Sequence, residues 1–557
     1  METHRFRTFE KTIFNRRGSF EHSSELSALL FRVQISYLIF AAEHPMGVET
    51  ELKFRVPARK LKMLARWQIP DGQIGERTES DLVSTYFDTG KQKLNRHGLS
   101  LRIRQAGDKH IQTIKSAPGV QFGRGEWETE IEGNTPDLSK IDGTPLERLA
   151  PKKLRRKLKP IFETSVHRTT LPVRTKRSEI ELAVDQGRLI AGRRSSPIEE
   201  LELELKKGRP DDLFRLAKAV ERKAQAELYF RTKSERGYDL AFGKSGHAVY
   251  AEPIELKEDM EADEAFRIIG RSTVRHFAAN ADAVQNLEPE GIHQMRVGLR
   301  RLRTAMSLFS HALPGDRSEK IKAELKWLTN ELAPAREIDV FVKEKISRAT
   351  RDVVPRRGGK AIEKEFAARR AEALERARKA LNSERCRTLL VDVLEWIEAR
   401  HEGTQKDAST PIGKFAVDIL HRRGKKLLKE GRDLEKLSAR ERHKFRIGIK
   451  KIRYAVEFFE SLFPGKRDRK QIARLSKHLK KIQDALGSLN DFIAHQKLAA
   501  DVALKAPAQN RRARAFVSGV VLGREVEAVK PLMKIAIKEV RELRRLSYKN
   551  PMPFSLS

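Results

Sequence analysis

The stretch Glu49-Thr50-Glu51-Leu52-Lys53 places two carboxylates and an ammonium on alternate residues, and the alternation continues through Phe54-Arg55-Val56. A period of two marks a β-strand, whose successive side chains leave opposite faces. Glu49, Glu51, Lys53 and Arg55 then share one face, and Val48, Leu52, Phe54 and Val56 the other. Neighbouring carboxylates repel unless a cation lies between them, and a cationic row beside them invites an anion. The segment reads either as a metal-bridged polyanion site or as an exposed strand face of mixed charge.

Recurrence favours the site. Arg102 and Arg104 share a face, with Leu101 and Ile103 opposite. Glu126, Glu128, Glu130 and Glu132 share another, with Trp127 and Ile131 opposite. Glu179, Glu181 and Asp185 alternate with Ile180, Leu182 and Val184, and Glu200, Glu202 and Glu204 with Leu201, Leu203 and Leu205. A solvated sheet face usually mixes its signs to relieve repulsion. Faces that are wholly acidic or wholly basic suit an enclosed space where cations and a polyanion neutralise them.

A chain of 557 residues has room for two to four domains, and its formal charge of +36 implies polyanionic partners such as nucleic acid, anionic lipid or phosphate polymers. The single cysteine, Cys386, excludes an intramolecular disulfide and any multi-cysteine zinc site, and fits a reducing cytoplasm. No run is apolar enough for a confident membrane span; Leu26–Ala42 comes nearest and is broken by Arg32, Gln34 and Ser36. Arg16 and Arg17 ahead of that run permit a signal-peptide reading, but residues 1–45 read better as an N-terminal extension or a misassigned start before Met46.

Residues 47–245 read as short alternating strands punctuated by glycine, 246–254 as a linker, 255–545 as long helices poor in glycine and proline, and 546–557 as a tail. The helical half, residues 251–557, carries a net +23 against +12 for residues 47–250, so it is the stronger polyanion magnet. His97, His110 and His167 are expected in loops or on strand edges, without chemistry. Gly358-Gly359-Lys360 lacks the rest of a phosphate-loop pattern and reads as a turn.

Six motifs follow one another in the first half: Glu49-x-Glu51-x-Lys53, Leu101-Arg102-Ile103-Arg104, Thr113-Ile114-Lys115, Ala183-Val184-Asp185-Gln186-Gly187, Glu200-Leu201-Glu202-Leu203-Glu204 and Thr232-Lys233-Ser234. In this order they resemble the CYTH superfamily, the triphosphate tunnel metalloenzymes. The resemblance implies a closed, antiparallel, eight-stranded β tunnel that binds a triphosphate with a divalent metal, Mg²⁺ or Mn²⁺. It implies Glu49, Glu51, Asp185, Glu202 and Glu204 as metal ligands, and Lys53, Arg55, Arg102, Arg104, Lys115 and Lys233 as phosphate binders. Glu126 and Glu128 join as additional acidic liners. The chemistry is coherent: hard oxygen donors suit Mg²⁺, and clamped phosphoryl oxygens lower the repulsion that an attacking water meets.

In the helical half, His293–Phe309 reads HQMRVGLRRLRTAMSLF and His443–Phe459 reads HKFRIGIKKIRYAVEFF. At 100° per residue, His293, Arg296, Arg300 and Arg303 fall within roughly 80° of arc, opposite Met295, Leu299, Leu302, Met306 and Phe309. His443, Arg446, Lys450 and Arg453 repeat the stripe. Each repeat runs on into a related segment, LAPAREIDV within Leu325–Val340 and LGSLNDFIA within Leu479–Ala494, which predicts a duplicated bundle with both stripes on a shared surface. A basic stripe is commonly a solvated face, but such faces interleave acids at i,i+4 and these stripes contain none.

The repeated pattern resembles the CHAD domain, a helical module often found behind a CYTH domain. Ala333 and Glu337 stand where that family more often has glycine and aspartate, and Lys450 and Lys451 replace the paired Arg300 and Arg301. The resemblance implies binding of inorganic polyphosphate by His293, Arg296, Arg300, Arg301, Arg303, His443, Arg446, Lys450, Lys451 and Arg453.

The expected protein is therefore α+β, a β tunnel followed by an all-α duplicated bundle. Its expected activity is metal-dependent hydrolysis of inorganic triphosphate to pyrophosphate and phosphate, in the cytoplasm and in association with polyphosphate granules. A non-catalytic polyphosphate binder, a class IV adenylyl cyclase and a thiamine triphosphatase are the alternatives. Few aromatics interleave the basic stripes, which disfavours nucleic acid. No membrane partner is expected, and the oligomeric state is left open.

Overall fold

A computed structural model describes residues 50–549 apart from 65, 70–71, 117–124, 150–153, 155, 314, 347–355, 400–407 and 506–507. All of these lie within one compact unit, 49–557. Glu49 falls just outside the described residues.

The first half is built on β1 (Thr50–Arg55), β2 (Gln73–Ile74), β3 (Thr78–Thr89), β4 (Leu99–Ala106), β5 (Lys109–Ser116), β6 (Glu126–Ile131), β7 (Leu158–Arg174), β8 (Glu179–Ala191), β9 (Arg194–Lys207) and β10 (Glu227–Leu228). Helices α1 (Ala58–Leu64), α2 (Lys93–Arg96), α3 (Pro210–Ala224) and α4 (Lys233–Phe242) are set between them. The sheet is antiparallel, in the order β10-β1-β9-β8-β7-β3-β4-β5-β6, with β2 added on β7. This corrects the eight-stranded closed barrel: among the described residues there are ten strands, and the ladder is open because β6 and β10 are not paired to each other.

The alternation of charge and leucine determines the layers. Leu201 and Leu203 of β9 and Leu182 of β8 are fully buried on the outer face, where α1 and α3 cover them. A second apolar cluster, with Leu101, Ile103, Ile114 and Ile131, backs β4–β6. A third, with Tyr86, Phe162, Leu189, Ile198 and Tyr238, fills one end of the inner side beneath α4. Gly237 makes that packing possible, since a Cβ there would lie 2.0 Å from the Phe162 ring.

The second half comprises α5 (Ala262–Ala278), α6 (Ala281–Gln285), α7 (Pro289–Leu308), α8 (Gly315–Phe341), α9 (Arg356–Leu381), α10 (Glu384–Glu398), α11 (Ile412–Glu430), α12 (Ala439–Phe459), α13 (Lys466–Leu504), α14 (Ala508–Val529) and α15 (Leu532–Lys549). Gly358, Gly359 and Lys360 lie in α9, so the expected turn is helix. The duplication has a backbone signature: Glu261 and Pro411 bridge antiparallel, Ala262 N–H donates to Thr410 O (2.9 Å) and Ile412 N–H donates to Met260 O (2.8 Å). The first helix of each repeat thus starts on the other repeat. No described helix is long and apolar enough to cross a membrane.

The halves do not hang on a free linker. Ile254 and Leu256 are buried, and one apolar cluster runs from Phe54 and Leu203 through Phe214 to Phe266 and Trp396. Lys218 of α3 pairs with Asp392 (2.8 Å) and Glu395 (3.0 Å) of α10, and Arg387 with Glu221 (2.9 Å).

Candidate functional site

Strand register alone assembles the acidic wall. Arg55, Glu200, Asp185 and Arg168 stand in one cross-strand row, Lys53, Glu202 and Ala183 in the next, and Glu51, Glu204 and Glu181 in a third. All face the inner side because the leucines between them face out. Lys233 arrives from α4, whose start is fixed by a capping box: Thr232 Oγ1 accepts from Glu235 N–H (3.0 Å), and Thr232 N–H donates to Glu235 Oε2 (2.7 Å). The motif Thr232-Lys233-Ser234 is thus a helix start that presents its first side chain to the cleft.

Asp185, Glu200 and Glu202 bring carboxylate oxygens within 4.8 Å of one another. Asp185 is 0% and Glu200 1% exposed. Lys233 Nζ lies 2.7 Å from Asp185, 2.8 Å from Glu200 and 2.9 Å from Glu202. Lys53 pairs with Glu202 at 2.9 Å, and Arg168 grips Asp185 (2.7 Å) and Glu202 (2.6 Å). Burial opposes every one of these charges, yet Lys233, Lys53 and Arg168 outweigh it and hold Glu202 well below the usual carboxylate range. The three carboxylates likewise outweigh burial at Lys233 and hold its ammonium well above its ordinary value.

The opposite wall comes from β4–β6. Lys115 pairs with Glu126 at 2.6 Å, Arg102 lies 3.5 Å from Glu126 and 3.7 Å from Glu128, and Thr113 Oγ1 donates to Glu128 (3.0 Å). Arg104 has no carboxylate partner among the described residues; burial, then Arg102 and Arg168, pull its guanidinium down. Tyr86 joins the walls. Burial would raise its phenol, but Arg102 and Lys115 on one side and Lys233 on the other pull it below its ordinary value. The two walls therefore act on one space.

Three expected residues sit elsewhere in the network. Arg55 turns to Glu227 (2.9 Å) and Asp282 (2.6 Å) rather than to the three carboxylates. Glu204 pairs with Lys206 (2.6 Å), and Glu51 lies 3.8 Å from Lys53 at the more exposed end. Glu200, Arg168, Arg236 and Tyr86 are central but absent from the expected set. Glu200 already lay on the acidic face of its strand; Arg168 lies on β7, which was not among the alternating runs recognised. His167 stands mid-strand on β7, facing outward to Asp81 (2.8 Å), not at an edge.

The donor set fits a hard divalent cation. Three carboxylates converge, and the buried Oε2 of Glu200 accepts no hydrogen bond of good geometry although the Lys233 ammonium is near.

In the helical half, α7 and α12 bring the basic stripes together: Arg300 of α7 repels both Arg446 and Lys450 of α12. Burial, then Arg446 and Arg300, lower Lys450 to about 8. Burial, then Arg336, lower His293 to about 4, and burial with Arg300 lowers Arg296 to about 10. Arg296 donates to Thr329 O (2.9 Å), His443 meets Asn490 (3.2 Å), and Arg453 donates to Gln483 (3.1 Å). Arg301 does not join them: it is 1% exposed, stacks on Phe458 and pairs with Glu457 (3.0 Å), an interhelix strut. Lys451 donates to Ser307 (3.0 Å), while Arg303 is exposed.

Comparison with known proteins places two family models on the chain, the CYTH domain over residues 47–238 and the CHAD domain over 269–500. An inorganic triphosphatase of Haemophilus influenzae is 36% identical over 166 residues, 28% of this chain and 46% of that protein. The chain thus spans about half the length of this curated relative. The CHAD domain from Ricinus communis is 28% identical over 53% of this chain and 97% of its own, with a TM-score of 0.45. A candidate adenylyl cyclase from Hippeastrum, with a dominant triphosphatase activity, is 19% identical over 34% of this chain and 95% of its own, with a TM-score of 0.26.

Proposed function

We propose that this chain, a CYTH domain followed by a CHAD domain, is a divalent-metal-dependent hydrolase of inorganic triphosphate whose helical half holds inorganic polyphosphate. The observation that carries the reading is the convergence of Asp185, Glu200 and Glu202 with Lys53, Arg168 and Lys233 in a buried cleft. Pure capture of a polyanion needs cations only; buried carboxylates among them add repulsion unless a metal ion binds. Asp185, Glu200 and Glu202 would hold Mg²⁺ or Mn²⁺, with Glu51 and Glu204 at the outer end. The ion supplies Lewis-acid polarisation of phosphoryl oxygens and a more acidic water. Lys53, Lys233, Arg102, Arg104 and Lys115 bind and align the phosphate chain, and their fixed charges offset the negative charge spread over its oxygens in the transition state. The buried walls exclude bulk water, which strengthens each of these interactions. No specific observation favours the cyclase alternative.

The test is phosphate release from tripolyphosphate, ATP, thiamine triphosphate and long polyphosphate, each with Mg²⁺, with Mn²⁺ and with chelator. Metal-dependent release from tripolyphosphate above the others is expected; equal release with chelator would defeat the reading.

The helical groove carries a pH prediction. Lys450 faces Arg446 and Arg453 of its own helix, Arg300 of α7 and Asp491 of α13. Its ammonium, lowered to about 8, is charged below that pH, and a bound polyanion stabilises the charged form. Polyphosphate affinity should therefore hold below about pH 8 and fall, by up to about tenfold per pH unit, above it. The unliganded fold has the opposite sign: between about 8 and the ordinary lysine value the unfolded chain binds the extra proton, so stability rises with pH. Titrating labelled polyphosphate at pH 7 to 9.5 checks the first statement. Lys450→Arg should flatten the profile, and an unchanged profile in that variant would assign it elsewhere.

A further inference from the structure

Glu200 has its two oxygens divided between two masters. Oε2 lies 2.8 Å from Lys233 in the cleft, and Oε1 accepts from Arg236 on the far side. Arg236 in turn lies over the ring of Tyr229 (5.7 Å to the centroid), and Arg55 lies over the same ring at 5.0 Å. Both partners end on one carboxylate of the helical half: Asp282 on α6 accepts from Arg55 (2.6 Å) and from the Tyr229 hydroxyl (3.0 Å). A cavity of about 270 Å³, lined among others by Arg55, Glu200, Tyr229, Arg236, Asp282 and Asn286, lies beside this chain of contacts.

We infer that Asp282 is a positioning residue for the acidic cleft: it fixes the Tyr229 ring and Arg55, which give Arg236 its platform, and Arg236 then sets the orientation of Glu200. Arg236 is anchored at Pro197 O, to which its Nη2 donates, and the cavity leaves the Nη1 end that meets Glu200 room to reorient. With Asn in place of Asp282, one oxygen is left to accept from Arg55 or from the Tyr229 hydroxyl but not from both, and Arg55 loses one of its two carboxylates. Arg236, still anchored at Pro197 O, then loosens at the end that meets Glu200, and Glu200 is left to turn both oxygens toward Lys233. The cleft loses a carboxylate oriented for a cation, while the groups that align phosphate stay in place. The helical half in this way completes a site it does not line. This inference rests on the metal-dependent reading above.

The test uses the full chain and five proteins: wild type, Asp282→Asn, Tyr229→Phe, the double variant of these two, and Lys218→Gln. Lys218 makes a separate contact between the halves, to Asp392 and Glu395, remote from Glu200 in the contact chain. Mn²⁺ binding is measured by calorimetry without substrate, and hydrolysis of tripolyphosphate as a function of Mn²⁺, with thermal melts as the check on folding. Asp282→Asn is expected to weaken Mn²⁺ binding about three- to tenfold, less than loss of a direct partner of a ligand. It should lower the rate at low Mn²⁺ but not at saturating Mn²⁺, and leave KM for tripolyphosphate unchanged there. Tyr229→Phe should show part of the shift and add nothing to Asp282→Asn in the double variant. Wild-type Mn²⁺ binding in Asp282→Asn, or an equal shift in Lys218→Gln, would overturn the inference while leaving the hydrolase reading intact. Wild-type protein that neither binds Mn²⁺ nor hydrolyses tripolyphosphate would overturn both.

Discussion

Glu202→Gln is expected to lower metal-dependent tripolyphosphate hydrolysis by at least about a hundredfold, the largest loss predicted for a single site. Glu202 is the carboxylate on which three cations converge: Lys53 and Lys233 at 2.9 Å and Arg168 at 2.6 Å. The amide keeps the shape but loses the charge, and its NH₂ group is turned on ammonium and guanidinium groups that have nothing to accept. Asp185 and Glu200 still neutralise Lys233 and Arg168, so the cost in stability should stay near 1–3 kcal/mol, below the roughly 3–5 kcal/mol of a fully orphaned buried charge. The sign of a second measurement separates chemistry from collapse. Removing one negative charge makes the cleft more cationic, so tripolyphosphate binding with chelator present should be equal to wild type or tighter. Glu126→Gln is the contrast. Glu126 serves Lys115 and Arg102 on the opposite wall, outside the three-carboxylate group, and its loss should cost less than about tenfold. A folded Glu202→Gln protein hydrolysing at the wild-type rate would remove the acidic cleft from the mechanism.

What was legible in the sequence was whatever alternation encodes. The faces of β1, β4, β6, β8 and β9 follow from single strands read with period two, and the register then brings Lys53 to Glu202 and Asp185 to Glu200. Strand number and closure were not legible, because pairing is long-range: β3 and β7 pair along twelve residues of each strand although the partners lie 69 to 92 positions apart in the sequence. Arg168 was missed for the same reason, as its importance comes from lying across from Asp185 and not from its neighbours in sequence. In the helical half the stripe was visible at 100° per residue, where Arg301 falls roughly 80° beyond its edge, and packing turns it inward to Glu457 and Phe458. The tie from Asp282 to Arg55 crosses 227 residues and has no local signal.

Arg300→Glu should produce the second large effect, in two directions at once. Arg300 faces Arg296 on its own helix and Arg446 and Lys450 on α12, and no carboxylate among the described residues pairs with it. In the free protein these cations repel, which is why burial and mutual repulsion together lower Lys450 and Arg296. Reversal to glutamate places an anion among Arg296, Arg446 and Lys450. The unliganded fold should melt higher, Lys450 should regain a higher pKa, and polyphosphate affinity should fall by about ten- to a hundredfold, from one attractive charge lost and one repulsive charge gained. The shortfall should shrink as salt rises, since screening weakens both terms. Arg301→Glu should do the reverse on stability, because it sets a carboxylate against Glu457 in a buried strut. Stability and affinity therefore move oppositely at a binding cation and together at a structural one. A basic surface that serves only as a solvated face would lose little of either at Arg300, and wild-type retention of polyphosphate by a more stable Arg300→Glu protein would show that the groove between α7 and α12 is not where the polymer lies.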